Sequence, residues 1–186
     1  MTVSETASLS TYGSALRRLY LIRFAFAVVW AALLFLTSTM TGPLLTVVLV
    51  AYPLFDAGAV LWQLRADPDS GRSKVAGWIN VVVSVVVAIA LGAASTVAVA
   101  AALGVWGGWA IGSGIPQLVT AVRSRRYGGQ VPQMLSGGIS VLAGASFLAQ
   151  AVQGGGNIAG VGGYAVLGGI FFLISAIRLG RTAKEI

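Results

Sequence analysis

The sequence predicts an all-α membrane protein of six transmembrane helices, built as three helical hairpin repeats of parallel topology. Three observations predict it. The chain of 186 residues is 57% hydrophobic and only 9% charged, whereas soluble globular domains carry about 25% charged residues. Its apolar residues gather into six long stretches, each near the ~20 residues that cross a ~30 Å hydrocarbon core at ~1.5 Å per helical residue. All twelve Lys and Arg residues lie in the tails, near the entry to the first stretch, or in alternate connections. Cytoplasmic segments retain positive charge in this way.

The elements follow in order. Residues 1–15 read as a flexible cytoplasmic tail, loose or lying on the interface, and the polar segment closes on Arg17 and Arg18. The first span, Leu19–Thr37, is too long for a signal-peptide core and lacks a convincing cleavage site, so it is read as retained. An uncharged connection leads to the second span, Pro43–Leu64, which ends at Arg65. Ala66–Lys74 is a charged turn with Pro68 and Gly71 as breakers. The third and fourth spans, Val75–Ala94 and Val97–Val122, flank an uncharged turn around Ala93–Thr96. The basic turn Ser124–Gln130 then precedes Pro132–Val152 and Ile158–Ile177.

The last two spans meet at the uncharged turn Gln153–Asn157. Its Gly154-Gly155-Gly156 run lacks the Lys and the strand-to-helix context of a phosphate loop and is read as a flexible turn. Helices are preferred to strands because the runs are continuously apolar and exceed barrel-strand length. Six spans place both termini on the basic side, the cytoplasmic side of a bacterial inner membrane. Residues 1–186 form one integral membrane domain, with hairpins at approximately 16–66, 75–123 and 131–178.

The even spans end alike. Gly114-Ile115-Pro116-Gln117-Leu118-Val119-Thr120-Ala121-Val122-Arg123 aligns without gaps on Gly169-Ile170-Phe171-Phe172-Leu173-Ile174-Ser175-Ala176-Ile177-Arg178. A more divergent copy runs from Asp56 to Arg65. The odd spans match more loosely, placing Arg23, Asn80 and Ser136 at corresponding positions and Ser84 on Ser140. Two spans per repeat give every copy the same orientation, unlike the inverted repeats of many transporters.

These repeat ends and the short uncharged outer turns resemble those of the HdeD-like acid-resistance membrane proteins, over about residues 16–180. The resemblance implies a six-helix membrane protein with a part in acid or envelope stress, and it offers no catalytic or transport residues to carry over. Asp56 departs from the pattern, standing where the later repeats have Gly114 and Gly169.

A net charge of +7 and a pI of about 10.6 raise the question of nucleic acid. The juxtamembrane placement of the charges argues against it, and for the lipid bilayer and anionic cytoplasmic headgroups as partners. The chain has no Cys and no His. Disulfides, thiolate nucleophiles, His or Cys metal ligands and Ser-His-Asp chemistry are therefore excluded for this chain. No metal site and no cofactor are expected, and the protein is read as non-enzymatic.

Asp56 is the only acidic residue inside a span. It lies nine residues before Arg65, hence ~13 Å from the basic end of its helix at ~1.5 Å per residue. An ionised carboxylate at such depth costs ~2.5–3.5 kcal/mol or more unless paired, protonated or hydrated. Arg23 on the neighbouring span is the expected partner; a protonated Asp56 or a true proton or ion site are the alternatives. Tyr52, Asn80, Ser84, Ser113, Gln117, Ser136 and Ser140 occupy a similar depth. They either bond within and between helices or line a small cytoplasm-facing cavity.

Gly104, Gly108 and Gly112 recur every four residues, as a strip for close helix packing within the monomer or across a homo-oligomer seam. Ser136, Ser140 and Gly144 make a shorter strip. Pro53 and Pro116 fall inside spans and can kink them. Tyr20, Trp62, Trp78 and Tyr127 read as interfacial anchors, and Trp106 and Trp109 as deeper residues facing lipid or a neighbouring helix. The preferred functional expectation is HdeD-like stress protection, with Asp56 and Arg23 as a protonation-sensitive pair. The runner-up is a small transporter or channel for protons, ions or a small solute.

Overall fold

The structure, a computed structural model, describes residues 3–40, 42–66, 71–123 and 131–182. These form six α-helices: α1 Val3–Thr37, α2 Pro43–Ala66, α3 Gly71–Val97, α4 Val99–Arg123, α5 Val131–Val152 and α6 Ala159–Thr182. No strand occurs among the described residues. Each helix contains a segment long and apolar enough to cross a membrane, as in a multi-pass membrane protein. The centres of the charged turns, 67–70 and 124–130 with Tyr127, and residues 183–186 lie outside the described residues.

Most boundaries are set by local chemistry. Pro43 opens α2 at the first helical position, where its missing N–H is no loss. The Asn157 side chain accepts from the Ala159 N–H at 2.9 Å and caps α6. Gly42, Gly154 and Gly156 take positive φ in the two turns flanking these starts, a conformation that favours glycine. The α3–α4 turn contains neither Gly nor Pro, and a single residue, Ala98, separates the helices. There Ser95 and Thr96 donate back to the carbonyls of Gly92 and Ala93 at 3.2 and 2.7 Å, the kind of bonding that bends a helix end.

Two helices begin earlier than expected: α3 opens at Gly71, inside the segment read as a charged turn with Gly71 as a breaker, and α1 opens well before Leu19. Residues 1–15 were expected to be loose or to lie on the interface, but α1 is helical from Val3. The segment Val3–Arg18 contains no Pro and a single Gly, so nothing in it stops a helix propagating back from the apolar part.

The helices run up and down around a ring. Arg23 meets Asp56 across α1–α2, Ser84 meets Asp56 across α2–α3, and Ser140 meets Tyr164 across α5–α6. The most extensive interfaces are α4–α5, α1–α6 and α2–α3. The tightest pairs are therefore α2–α3, α4–α5 and the pair of first and last helices, while α1–α2, α3–α4 and α5–α6 touch less. The antiparallel arrangement brings Arg17 and Arg18, within α1, and the basic residues near the helix ends, Arg65, Lys74, Arg123, Arg178 and Arg181, to one side of the bundle.

Glycine sets the closest approach. A methyl carbon added to Gly107 would stand 2.7 Å from the Gly144 carbonyl oxygen, and one on Gly114 would stand 2.9 Å from that of Gly137. The α4–α5 seam thus uses Gly107 and Gly114 against Gly144 and Gly137. The expected strip lies elsewhere: Gly108 and Gly112 are exposed with open space beside them, and Gly104 faces only the Ala151 methyl at 3.6 Å. A four-residue spacing keeps residues on one face without saying which face meets a neighbour.

Away from the basic end the bundle is filled. Trp30, Leu34, Leu49, Leu91, Leu103, Trp106, Ile158 and Val161 are almost wholly buried there. The Trp30 indole N–H donates to the Val48 carbonyl, and its ring packs on Tyr52 and Trp106 with centroids 4.7 and 5.6 Å apart.

Candidate functional site

The basic half holds a cavity of about 330 Å³. Its walls come from every helix. Tyr20 is from α1, Tyr52 and Asp56 from α2, Asn80 from α3, Trp106, Trp109, Ser113 and Gln117 from α4, Gln133, Ser136 and Ser140 from α5, and Tyr164, Phe171, Phe172 and Ser175 from α6. The buried cluster around Trp30, Leu34, Leu49 and Leu103 closes it from the far end.

Asp56 is the one Asp, Glu, Lys or Arg among the described residues that line the cavity. Tyr52 sits four residues earlier, one turn away on the same helix face. The Arg23 guanidinium reaches the carboxylate from α1, with Nη2 3.1 Å from Oδ1, and the Ser84 hydroxyl donates to Oδ2 at 3.0 Å. Each carboxylate oxygen has two acceptor positions, so one remains beyond these bonds on each. Arg23 does not line the cavity; its guanidinium lies 5.0 Å over the Phe172 ring, a favourable cation–π placement.

Of the seven polar residues expected at this depth, six line the cavity: Tyr52, Asn80, Ser113, Gln117, Ser136 and Ser140. Ser84 is fully buried behind Asp56 and acts on it by hydrogen bonding. Ser140 shares a 2.9 Å hydrogen bond with Tyr164 and donates to the Ser136 carbonyl. Gln117 donates to Gln133 at 3.0 Å between α4 and α5. Pro53 and Pro116, read as residues that can kink their spans, lie inside α2 and α4.

The aromatic half of the lining is what sequence reasoning missed. Tyr20, read as an interfacial anchor, is a cavity residue packed on Phe172 with centroids 5.8 Å apart. Trp106 is buried and Trp109 forms cavity wall, each packed on Tyr52 at 5.6 and 6.2 Å. One signal was available: Tyr164 falls on Trp109 when the two G-I-x-x-L endings are superimposed. Trp62 and Trp78 are exposed, as interfacial anchors are.

No group of three or more His, Cys, Asp or Glu suited to a metal ion occurs among the described residues. The site offers a carboxylate, hydroxyls, amides and aromatic faces, which together suit reversible binding. Comparison with known proteins returns no matching family model, no matching curated protein and no matching solved structure.

Proposed function

We propose that this protein is a non-enzymatic multi-pass membrane protein that admits a small solute or ion into a cavity open toward its basic, cytoplasmic side, as the inward-facing state of a small transporter or channel. The observation that carries this reading is the cavity itself. About 330 Å³ of space lies within the range of small-molecule sites, it is lined around a carboxylate, and the far half is sealed by apolar packing. Anionic headgroups on the basic side and a bacterial inner membrane follow from the charge pattern. A homo-oligomer seam remains a use for exposed Gly108 and Gly112.

The proposed scaffold is three parallel hairpin repeats. In its support, residues aligned by sequence make the same contact three times. Asp56 meets Ser84, a methyl on Gly114 would meet the Ser140 Cβ at 2.8 Å, and one on Gly169 would meet the Ala27 Cβ at 3.1 Å. The test of the transport reading is flux in proteoliposomes. Protons, sodium and a panel of small ammonium, carboxylate and sugar compounds are presented to wild-type and Asp56→Asn protein. Protein-dependent flux that is lost in the variant supports it. Absence of both flux and any solute-induced tryptophan fluorescence change across the panel overturns it.

A second reading keeps the HdeD-like expectation of acid or envelope stress protection, with Arg23 and Asp56 as the sensor. Its observation is the formed, largely enclosed pair. Protonating the carboxyl removes the negative partner, and the groups around it are Arg23 on α1, Tyr52 on α2, Asn80 and Ser84 on α3, with Tyr20 and Tyr164 also lining the cavity. An acid-induced change in tryptophan fluorescence, together with acid survival, is expected in wild type and absent in Asp56→Asn. Identical behaviour of the two proteins sinks this reading.

A further inference from the structure

We infer that the cavity is a site for a compact organic cation with an apolar body, such as a single-ring quaternary ammonium; the inference rests on the cavity being a solute site. The only Asp, Glu, Lys or Arg among its described lining residues is an acid, Asp56. Around that carboxylate the walls are rings. Tyr52, Trp106 and Trp109 pack on one another with centroids 5.0–6.2 Å apart, and Tyr164 and Phe171 line the same space.

Aromatic faces attract cations through the ring quadrupole, most strongly for Trp and most effectively when water is excluded. A carboxylate beside several rings therefore favours positive charge twice, by Coulomb attraction and by the ring faces. The rings also bury the apolar body that a bare metal ion lacks. A strongly hydrated inorganic cation would exchange its water for few oxygen ligands here, whereas a quaternary ammonium gives up little hydration.

Arg23 does not reverse this preference. It approaches Asp56 from α1, outside the cavity lining, and engages one oxygen while Ser84 engages the other. Each oxygen keeps an acceptor position, so the carboxylate is placed to stand between the fixed guanidinium and a bound cation. Arg23 then tempers affinity, which suits a ligand that must also leave.

The test uses three aromatic probes of similar size on full-length protein in nanodiscs of zwitterionic phosphatidylcholine, which removes binding to anionic lipid. Benzyltrimethylammonium is the cation, N,N-dimethylbenzamide the neutral compound and benzenesulfonate the anion, read by equilibrium dialysis and tryptophan fluorescence. The cation is expected to bind one per chain, about tenfold or more tighter than the neutral compound, with no binding of the anion. Asp56→Asn should weaken the cation by about tenfold and the neutral probe by less, and Trp109→Leu should weaken both probes, the cation more. Should either variant fail to fold, the comparison of probes on wild type still decides. Equal binding of cation and neutral probe overturns this inference and leaves the cavity reading standing. Failure of all three probes to bind overturns both.

Discussion

Arg23 and Asp56, on neighbouring antiparallel helices, meet at 3.1 Å with side chains only 11% and 20% exposed. A charge so enclosed is tolerated because its partners are fixed. Ser84 holds the second carboxylate oxygen and Phe172 supports the guanidinium. Removing one member of such a pair leaves the other buried and uncompensated, which in comparable sites costs about 3–5 kcal/mol, whereas replacing both by apolar groups is often neutral. Arg23→Met alone and Asp56→Leu alone should therefore each lower stability in detergent by roughly this amount. The double variant should recover most of the loss. Thermal melts of the four proteins check it, and additive losses in the double variant would show that the two charges are not coupled.

The α4–α5 seam makes a paired prediction. Gly144→Ala would press a methyl to 2.7 Å from the backbone oxygen of Gly107, and backbone cannot swing aside as a side chain can. Overpacking of this kind costs about 1–3 kcal/mol. Gly108→Ala and Gly112→Ala add the same methyl into open space. There the gain in helix propensity, roughly 0.5–1 kcal/mol, should leave stability unchanged or slightly raised. Melting temperatures of the three single variants decide between the packed α4–α5 seam and the open face of α4.

Burial against protein and exposure along the bundle surface can be told apart at two apolar residues of α1. Trp30 is 2% exposed, Leu36 72%. In water both would gain from burial. In a bilayer, lipid tails are as apolar as Leu, so only packing and hydrogen bonding separate the two environments. Trp30→Ala removes its ring contacts with Tyr52 and Trp106 and the bond to Val48 and is expected to cost about 3–5 kcal/mol. Leu36→Ala should fall within about 0.5 kcal/mol of wild type, as for residues away from such features. Equal losses at both positions, measured by unfolding in mixed micelles, would contradict the placement of Trp30 in the packed half.

How far the site was legible follows from what hydropathy measures. A continuous apolar run fixes where a helix lies along the membrane normal, so the depth of Asp56, Arg23 and the polar residues around them could be read directly. It says little about rotation around the helix axis, because lipid-facing and protein-facing surfaces are both apolar. Ser84 was therefore placed at the level of Asp56, which it contacts, yet it lies behind Asp56 and not on the cavity wall. The same blindness hid the seam. Gly104, Gly108 and Gly112 form the more visible pattern, while the contact uses Gly107 and Gly114, seven residues apart, a spacing that returns to nearly the same face after two turns. Aromatic residues were the hardest to assign, since a Tyr near a helix end, such as Tyr20, has the same composition signal whether it anchors to headgroups or turns inward.

The absence of cysteine makes the cavity directly addressable, because any introduced thiol is the only one. Ser136→Cys and Ser113→Cys put that thiol on the cavity wall. Leu34→Cys and Leu49→Cys put it in the filled half, where the native residues are 0% exposed. Thiol modification requires access and the thiolate, which apolar burial suppresses. A membrane-impermeant cationic methanethiosulfonate should therefore label the two cavity positions readily and the two core positions at least tenfold more slowly, a difference of ~1.4 kcal/mol in barrier. In sealed vesicles of known sidedness, labelling of Ser136→Cys only from the cytoplasmic face would place the basic end there. Labelling only from the opposite face would reverse the proposed orientation, and labelling at equal rates in all four variants would mean that the half around Trp30 and Leu49 does not close the cavity.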